Sequence, residues 1–279
     1  MIIWFFGSDK YSQIVLNSLR QDPKIKISKI ISPDMMLRII IAKEERPNVG
    51  VLASFGAIVP PQILNFPKKG ILNIHPSLLP KYRGPSPVQT AILNGERQTG
   101  VTIIKMDEKI DHGPIVAQFK EEILPDDTAE KLYCRLFSAG AEVLKTILPA
   151  YLEGRIQLRE QDHSQATYTK KLAREDGFIP LEKLKAVVKG VNAELVDRQI
   201  RAYYPWPGTY TIIKLQTPNS KFQTNLKSKI QNKRLKILKA HLENKRLVLD
   251  QVQLEGKKPV SFRQFCEGYP EVKKLFFGS

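Results

Sequence analysis

The first half of the chain alternates short apolar runs with segments of helical spacing, and this alternation restricts the folds it can adopt. Residues 2–6 form a continuous apolar run, and residues 11–19 place apolar side chains on one side of a helix. The same patterns predict further strands at residues 25–31, 49–53, 70–74, 101–105 and 115–122, and helices at 35–43, 87–93 and 128–152. Continuous apolar strands between helices predict an α/β domain whose parallel sheet is covered by helices.

The character of the sequence changes after Gly154. Residues 155–174 are polar and show no convincing apolar period, which is typical of a linker. A helical region then spans residues 184–202, and short strand-like segments follow at residues 208–215, 235–242, 246–253 and 259–262. Their spacing predicts a small β-barrel. We therefore expect a domain over residues 1–154, a linker over 155–174 and a second domain over 175–279.

The charge balance is strongly basic and unevenly distributed. The chain has 44 Lys and Arg against 28 Asp and Glu, a net charge of +16 and a pI near 9.7. Residues 175–279 hold 20 basic and 10 acidic residues, whereas residues 1–174 hold 24 and 18. Such a surplus favours a polyanionic partner, either nucleic acid or an anionic membrane, although some basic proteins bind neither.

Several protein classes are excluded by composition. Cys134 and Cys266 are far apart, so neither a disulfide framework nor a cysteine metal motif is expected, and this usage suits a reducing cytoplasm. No apolar run approaches the about 18 residues that a membrane helix needs. The opening residues 1–6 lack the basic start of a signal peptide. We expect a cytoplasmic monomer without a metal or a membrane partner.

The densest chemical motif is the proline-rich segment from Asn73 to Pro87. Asn73 and His75 are two residues apart at the end of a predicted strand, so their side chains project to the same face. Ligands bind at the carboxyl ends of strands in parallel sheets, and an amide beside an imidazole suits the stabilisation of an oxyanion. In the alternative interpretation, His75 caps the strand and Asn73 hydrogen bonds a turn.

A second polar segment, residues 107–114, lies between two predicted strands. A carboxylate such as that of Asp111 could orient an imidazole there or carry a proton to and from an amine. The alternative is an ordinary acidic surface turn. Residues 7–10 resemble a phosphate-binding turn only weakly. His163 and His241 are expected to be isolated surface residues.

These motifs occur in an order that resembles the formyltransferases that use 10-formyltetrahydrofolate. The matching segments are residues 73–84 (NIHPSLLPKYRG), 99–102 (TGVT) and 111–113 (DHG). Residues 168–172 and 198–208 resemble the linker and C-terminal barrel of the family members that act on methionyl-tRNA. The resemblance covers nearly the whole chain.

The resemblance implies a Rossmann-like catalytic domain, a linker and an OB-like barrel that helps to hold tRNA. It implies formyl transfer from 10-formyltetrahydrofolate to the α-amino group of initiator methionyl-tRNA. The catalytic residues would be Asn73, His75 and Asp111. The folate contacts would be Ser77, Leu78, Leu79, Pro80, Ile110, His112 and Gly113. The nucleic-acid contacts that we expect are Lys170, Lys171, Arg174, Lys233, Arg234 and Lys236.

The chain departs from the family between Asp34 and Gly50. The family carries a longer segment there, a basic loop followed by a helix, a strand and a second helix, whereas this chain has room for about one helix. The missing strand would be the outermost of a doubly wound sheet, so we expect the sheet to survive and tRNA to be held from the C-terminal side. A formyltransferase with another amine acceptor and a non-catalytic RNA-binding protein remain as alternatives.

Overall fold

The computed structural model describes residues 1–36, 44–217 and 229–277, and it contains two compact units. The first unit is Met1–Lys171 and the second is Leu172–Ser279. Each unit has its own sheet.

The first unit alternates strands and helices. Its strands are β1 (Ile2–Phe6), β2 (Lys26–Ile31), β3 (Val49–Ala53), β4 (Ile71–His75), β5 (Gln98–Lys105) and β6 (Ile115–Glu122). Its helices are α1 (Lys10–Arg20), α2 (Pro33–Met36), α3 (Pro61–Leu64), α4 (Pro87–Leu93) and α5 (Ala129–Leu152). The strands and the longer helices confirm the sequence predictions. The helix predicted at 35–43 begins in α2, and its remainder lies outside the described residues.

The sheet of the first unit has the order β2-β1-β3-β4-β5-β6. The strands β2, β1, β3 and β4 are parallel, as predicted. The inner strands β1, β3 and β4 are buried, and the helices α1 and α5 pack against the sheet. The prediction of an entirely parallel sheet is wrong for β5 and β6, which run antiparallel to their neighbours. Residues 106–114, which connect β5 to β6, contain no helix. A parallel arrangement of these two strands would need a crossover connection of about a dozen residues or more.

The sheet survives the short segment after Asp34. β2 forms one edge of the sheet and pairs with β1, and β1, β3, β4 and β5 lie inside the sheet. The strand that carries Asn73 and His75, β4, lies inside the sheet and pairs with β3 on one side and β5 on the other.

The second unit is a four-stranded antiparallel sheet packed against helices. Its elements are α6 (Leu181–Val188), α7 (Ala193–Tyr203), β7 (Thr209–Thr217), β8 (Lys229–Glu243), β9 (Arg246–Leu254), β10 (Val260–Ser261), α8 (Phe262–Gly268) and α9 (Pro270–Phe277). The sheet order is β10-β9-β8-β7, and among the described residues the two end strands do not pair with each other. The predicted barrel is therefore wrong: this sheet is open, and helices rather than further strands cover its apolar face.

The last two helices were not anticipated by the sequence analysis. α8 begins at a capping box in which the Ser261 hydroxyl accepts from Gln264 N and the Gln264 side chain accepts from Ser261 N. This motif is readable from the sequence and would have marked the helix start. Phe262, Phe265 and Phe276 of these helices are buried in the core of the second unit.

In the described part of the chain, none of the helices combines the length and the apolar character required to cross a bilayer.

Candidate active site

A cavity of about 550 Å³ opens at the carboxyl ends of β1, β3 and β4. Its walls include residues 8–9 after β1, 54–59 after β3, 73–76 at the end of β4, and 106–111 after β5. This is the position at which parallel α/β sheets bind ligands, and the volume suits a small organic molecule.

Asn73, His75 and Asp111 meet at this cavity. The Asn73 amide Nδ2 donates a hydrogen bond to Asp111 Oδ1 at 3.1 Å, and His75 Nδ1 lies 3.5 Å from the same oxygen. The Asn73 and His75 side chains are buried, and that of Asp111 is 12% exposed. The two-residue spacing on β4 places the amide and the imidazole on one side of the strand, and the loop after β5 brings the carboxylate to both.

The second nitrogen of His75 is held by the main chain. His75 Nε2 lies 3.0 Å from the carbonyl oxygen of Tyr82. A carbonyl oxygen can only accept, so Nε2 carries a proton. Nδ1 is the ring nitrogen that faces the Asp111 carboxylate.

Asp111 is held through both of its carboxylate oxygens. Oδ1 accepts from Asn73, and Oδ2 accepts from the main-chain N–H of Gly84 at 2.8 Å. Asp111 has a φ of 48°, in the left-handed region, which aspartate adopts more readily than most residues. The carboxylate thus joins β4, the proline-rich loop after it, and its own loop.

Two further polar residues line the cavity: Asp9, which lies in the turn 7–10, and Ser54, which the sequence analysis did not identify. The Ser54 hydroxyl donates to Asp9 Oδ2 at 2.6 Å, and Asp9 Oδ1 accepts from Ser12 N as the N-cap of α1. An Asp directly before an apolar periodic segment is a readable N-cap signal. Because this carboxylate occupies the start of α1, the geometry disfavours a phosphate there.

The rest of the cavity is largely apolar. Ile58 and Ile110 line it and are 78% and 59% exposed, and Phe55 and Phe137 line it from buried positions. Burial raises the pKa of the Tyr133 phenol, whose hydroxyl donates to Gln89 Oε1 at 2.9 Å. Tyr133 therefore stays protonated and acts here as a hydrogen-bond donor.

The predicted folate residues do not all lie at this cavity. Ile110 is part of its lining, whereas Ser77, Leu78, Leu79 and Pro80 are not. Ser77 is fully buried and donates to Lys81 O at 2.7 Å, and Leu79 packs with Ile104 and Ile115. These residues support the loop after β4, and their contact with folate stays a prediction.

His112 and Gly113 also lie outside the cavity lining. His112 Nδ1 is 2.6 Å from Asp107 Oδ2, and its ring stacks on His163 at a centroid distance of 3.9 Å. His163 is exposed, as expected, but the prediction that it is isolated is wrong. Arg83 Nη2 lies 2.8 Å from its Nδ1. No local sequence pattern signals this stack, because the two histidines come from separate segments.

The predicted nucleic-acid residues of the second unit occupy both faces of its sheet. Arg234 pairs with Ile212 and Lys236 with Tyr210, on the face where Ile212 is exposed. The Arg234 guanidinium lies 4.3 Å from the centre of the Tyr210 ring. Lys233 pairs with the buried Ile213 and so points to the opposite face. Lys170, Lys171 and Arg174 are exposed.

Among the described side chains, no group of three or more His, Cys, Asp or Glu is arranged to hold a metal ion.

Two family models match the chain, one for each half. Residues 38–148 match the model described as formyl transferase, and residues 191–270 match the one described as formyl transferase, C-terminal domain. Each of these two segments therefore matches a domain of the formyl transferases. The first match contains Asn73, His75 and Asp111, so the polar cluster at the cavity lies inside the formyl transferase domain.

Curated relatives in the formyl transferase family are similar to part of this chain. The methionyl-tRNA formyltransferase of Chloroflexus aggregans is 49% identical over 166 residues, which cover 60% of this chain and 51% of that protein. That of Thermotoga maritima is 44% identical over 163 residues, which cover 58% and 50%. The chain thus spans about half the length of the curated relatives it matches.

Two solved structures share the fold of this chain. A methionyl-tRNA formyltransferase from Clostridium thermocellum aligns with a TM-score of 0.62 at 19% identity, covering 91% of this chain and 97% of that one. HypX from Aquifex aeolicus, solved with tetrahydrofolic acid, aligns with a TM-score of 0.66 at 15% identity, covering 99% and 47%.

Proposed function

We propose that this chain transfers a formyl group from 10-formyltetrahydrofolate to the α-amino group of methionine on initiator methionyl-tRNA. The observation that carries the proposal is the meeting of Asn73, His75 and Asp111 within 3.5 Å at the cavity. An amide, an imidazole and a carboxylate supply the groups that acyl transfer to an amine needs. The curated relatives, named methionyl-tRNA formyltransferase, support this choice of acceptor.

The amide and the imidazole would stabilise the oxygen of the formyl group as negative charge develops on it. One N–H of the Asn73 amide donates to Asp111, and the second N–H would donate to the formyl oxygen. His75 carries a proton on Nε2 toward Tyr82, so donation to the oxygen comes from a protonated Nδ1. The Asp111 carboxylate beside Nδ1 balances the positive imidazolium charge.

Asp111 would also manage the proton that the amine loses. The neutral amine attacks the formyl carbon, a C–N bond forms, and the C–N bond to the donor breaks. The amine proton passes to Asp111 and then to the departing nitrogen of the donor. The hydrogen bond from Gly84 N keeps one carboxylate oxygen in place, while the other faces both Asn73 and His75.

The apolar part of the cavity would hold the folate. An aromatic heterocycle packs favourably against apolar and aromatic walls, which Phe55, Val59 and Ile110 provide. The donor supplies the activated formyl carbon when it is bound. We propose that Ile110 contacts it directly, and contact of folate with Ser77, Leu78, Leu79 and Pro80 stays a prediction.

The outer face of the second sheet would contact tRNA. Arg234 and Lys236 lie on this face beside Tyr210 and the exposed Ile212. Basic side chains interleaved with an aromatic ring suit a nucleic-acid backbone and its bases. Residues 172–279 also hold most of the positive surplus, consistent with a polyanion bound from this side.

Three acceptors test the proposal directly. The purified protein is supplied with 10-formyltetrahydrofolate and, separately, with methionyl initiator tRNA, methionyl elongator tRNA and a set of small amines including amino sugars. We expect formylation of the initiator tRNA above the other acceptors, measured as acid-stable formylmethionine.

The other outcomes discriminate between the alternatives. Formylation of a small amine without any response to tRNA indicates a formyltransferase with another acceptor. Binding of tRNA without transfer to any acceptor indicates a non-catalytic RNA-binding protein. Either result contradicts the proposed function.

A further inference from the structure

Asp111 needs support from its surroundings to keep its backbone conformation. It adopts a left-handed φ of 48° although it has a side chain, and it lies in a loop without regular hydrogen-bond pairing. Residues in such conformations persist when neighbouring groups hold them. Its carboxylate contacts Asn73 and Gly84, which constrain the side chain but not its own carbonyl group.

Gln161 holds the main chain of this loop. Its amide Nε2 donates to the carbonyl oxygen of Asp111 at 2.9 Å and to that of Gly113 at 2.8 Å. Both N–H bonds of the amide are therefore used on the two residues that flank His112. Gln161 is 5% exposed and does not line the cavity.

Arg83 fixes which way the Gln161 amide faces. Its Nη2 donates to Gln161 Oε1 at 2.7 Å, and a guanidinium cannot accept, so the amide nitrogen must face the two carbonyls. Arg83 is 1% exposed and is itself anchored, because its Nη1 donates to the Tyr168 hydroxyl at 3.2 Å. Its main chain pairs with Thr167 and Thr169.

We propose that Gln161 is a positioning residue that holds the backbone of Asp111 and thereby directs its carboxylate toward Asn73 and His75. The effect that we expect on kcat rests on the proposed formyl transfer. Gln161 belongs to the polar segment between the two predicted domains, so this segment takes part in building the site. The residue acts through Asp111 and does not touch the reacting atoms.

The test replaces Gln161 by a residue of the same shape that cannot donate. In Gln161→Glu, one carboxylate oxygen can still accept from Arg83, whereas the other would face the carbonyls of Asp111 and Gly113 and repel them. Gln165→Glu is the matched control, because Gln165 is an exposed residue of the same segment whose amide bonds Asp162.

Two readouts separate positioning from a general loss of structure. Amide hydrogen exchange should accelerate in residues 107–114 of Gln161→Glu, while the strands keep their wild-type exchange and Gln165→Glu is unchanged. With 10-formyltetrahydrofolate and methionyl initiator tRNA, kcat should fall about a hundredfold, since misplacement of a catalytic group by about 1 Å costs this much. The KM values should change much less.

A double-variant comparison tests whether the effect passes through Asp111. If Gln161 acts through this carboxylate, adding Gln161→Glu to Asp111→Asn should lower the residual kcat less than about twofold. A further hundredfold loss in that background overturns the proposal, as does wild-type hydrogen exchange in residues 107–114.

The proposed function can fail independently of this inference. If the wild-type protein formylates none of the acceptors, the proposed function is wrong, and hydrogen exchange alone decides whether Gln161 holds the Asp111 loop. If the wild type is active and Gln161→Glu shows faster exchange with an unchanged kcat, the positioning role is wrong while the function stands.

Discussion

Asp111 connects residues that are remote in sequence. One of its oxygens faces Asn73 and His75 of β4, and the other accepts from the main chain of Gly84. The spacing of Asn73 and His75 predicts that their side chains share one face of a strand, and the structure agrees. The contact with Asp111 could not be derived from spacing, because it depends on how the loop after β5 folds back.

The first prediction concerns these polar groups. We expect Asn73→Ala and Asp111→Ala each to lower kcat by about a hundredfold or more, because each removes a group that stabilises charge or moves a proton at the reacting carbon. The measurement is the initial rate of initiator methionyl-tRNA formylation, with circular dichroism to check that the variants are folded.

Asn94→Ala is the control for these variants. Asn94 is an exposed residue whose amide donates to the Tyr82 hydroxyl, outside the cavity lining. We expect its rate to match the wild type. Wild-type rates in Asn73→Ala or Asp111→Ala would contradict the catalytic assignment.

At the scale of elements, α5 packs against the strand that carries the site. Gly140 of this helix is buried, and a Cβ built there would lie 2.8 Å from Ile74 Cγ2 and 3.2 Å from Val101 Cγ1. The glycine thus permits close approach of α5 to β4 and β5. The amphipathic pattern predicted α5 itself, but a single glycine within it does not reveal which strand it meets.

The second prediction tests this close approach. Gly140→Val should destabilise the protein by about 1–3 kcal/mol, because the added atoms force the helix away from Ile74. Thermal or denaturant unfolding measures the change. Ser138→Val introduces the same residue at an exposed position of the same helix, and we expect it to change stability by less than about 0.5 kcal/mol. Equal effects would contradict the packing argument.

At the scale of the whole molecule, the positive charge is distributed unevenly between the two units. The second unit carries most of the basic surplus, and its sheet is open, with Arg234 and Lys236 on its outer face. The composition shows that the second unit holds most of the positive charge. Only the register of β7 and β8 shows on which face of the sheet each basic side chain lies. Lys233, adjacent in sequence to Arg234, faces the other way.

The third prediction addresses this face. The double variant Arg234→Glu and Lys236→Glu should weaken tRNA binding and make the dependence of log K on log salt shallower by about 2, because two phosphate contacts are lost. Filter binding or fluorescence titration across salt concentrations provides the slopes.

Lys257→Glu with Lys258→Glu is the matched control. Both lysines are exposed in the turn before β10, and the pair changes the net charge equally. We expect a smaller loss of affinity and a slope close to that of the wild type. Identical slopes in the two double variants would show that net charge, and not the outer face of the sheet, controls binding.

The strands, the longer helices and the shared face of Asn73 and His75 are predictable from the sequence, because these depend on local periodicity and on turn residues. Strand direction in the first sheet, the open second sheet and the long-range contacts of the site become known only from the tertiary structure. β5 and β6 run antiparallel to their neighbours, and the second sheet is open with helices over its apolar face. Asp111 contacts residues of β4, and Gln161 donates a hydrogen bond to its main-chain carbonyl. Such contacts join segments far apart in the chain, and their geometry depends on how loops close and how cores pack.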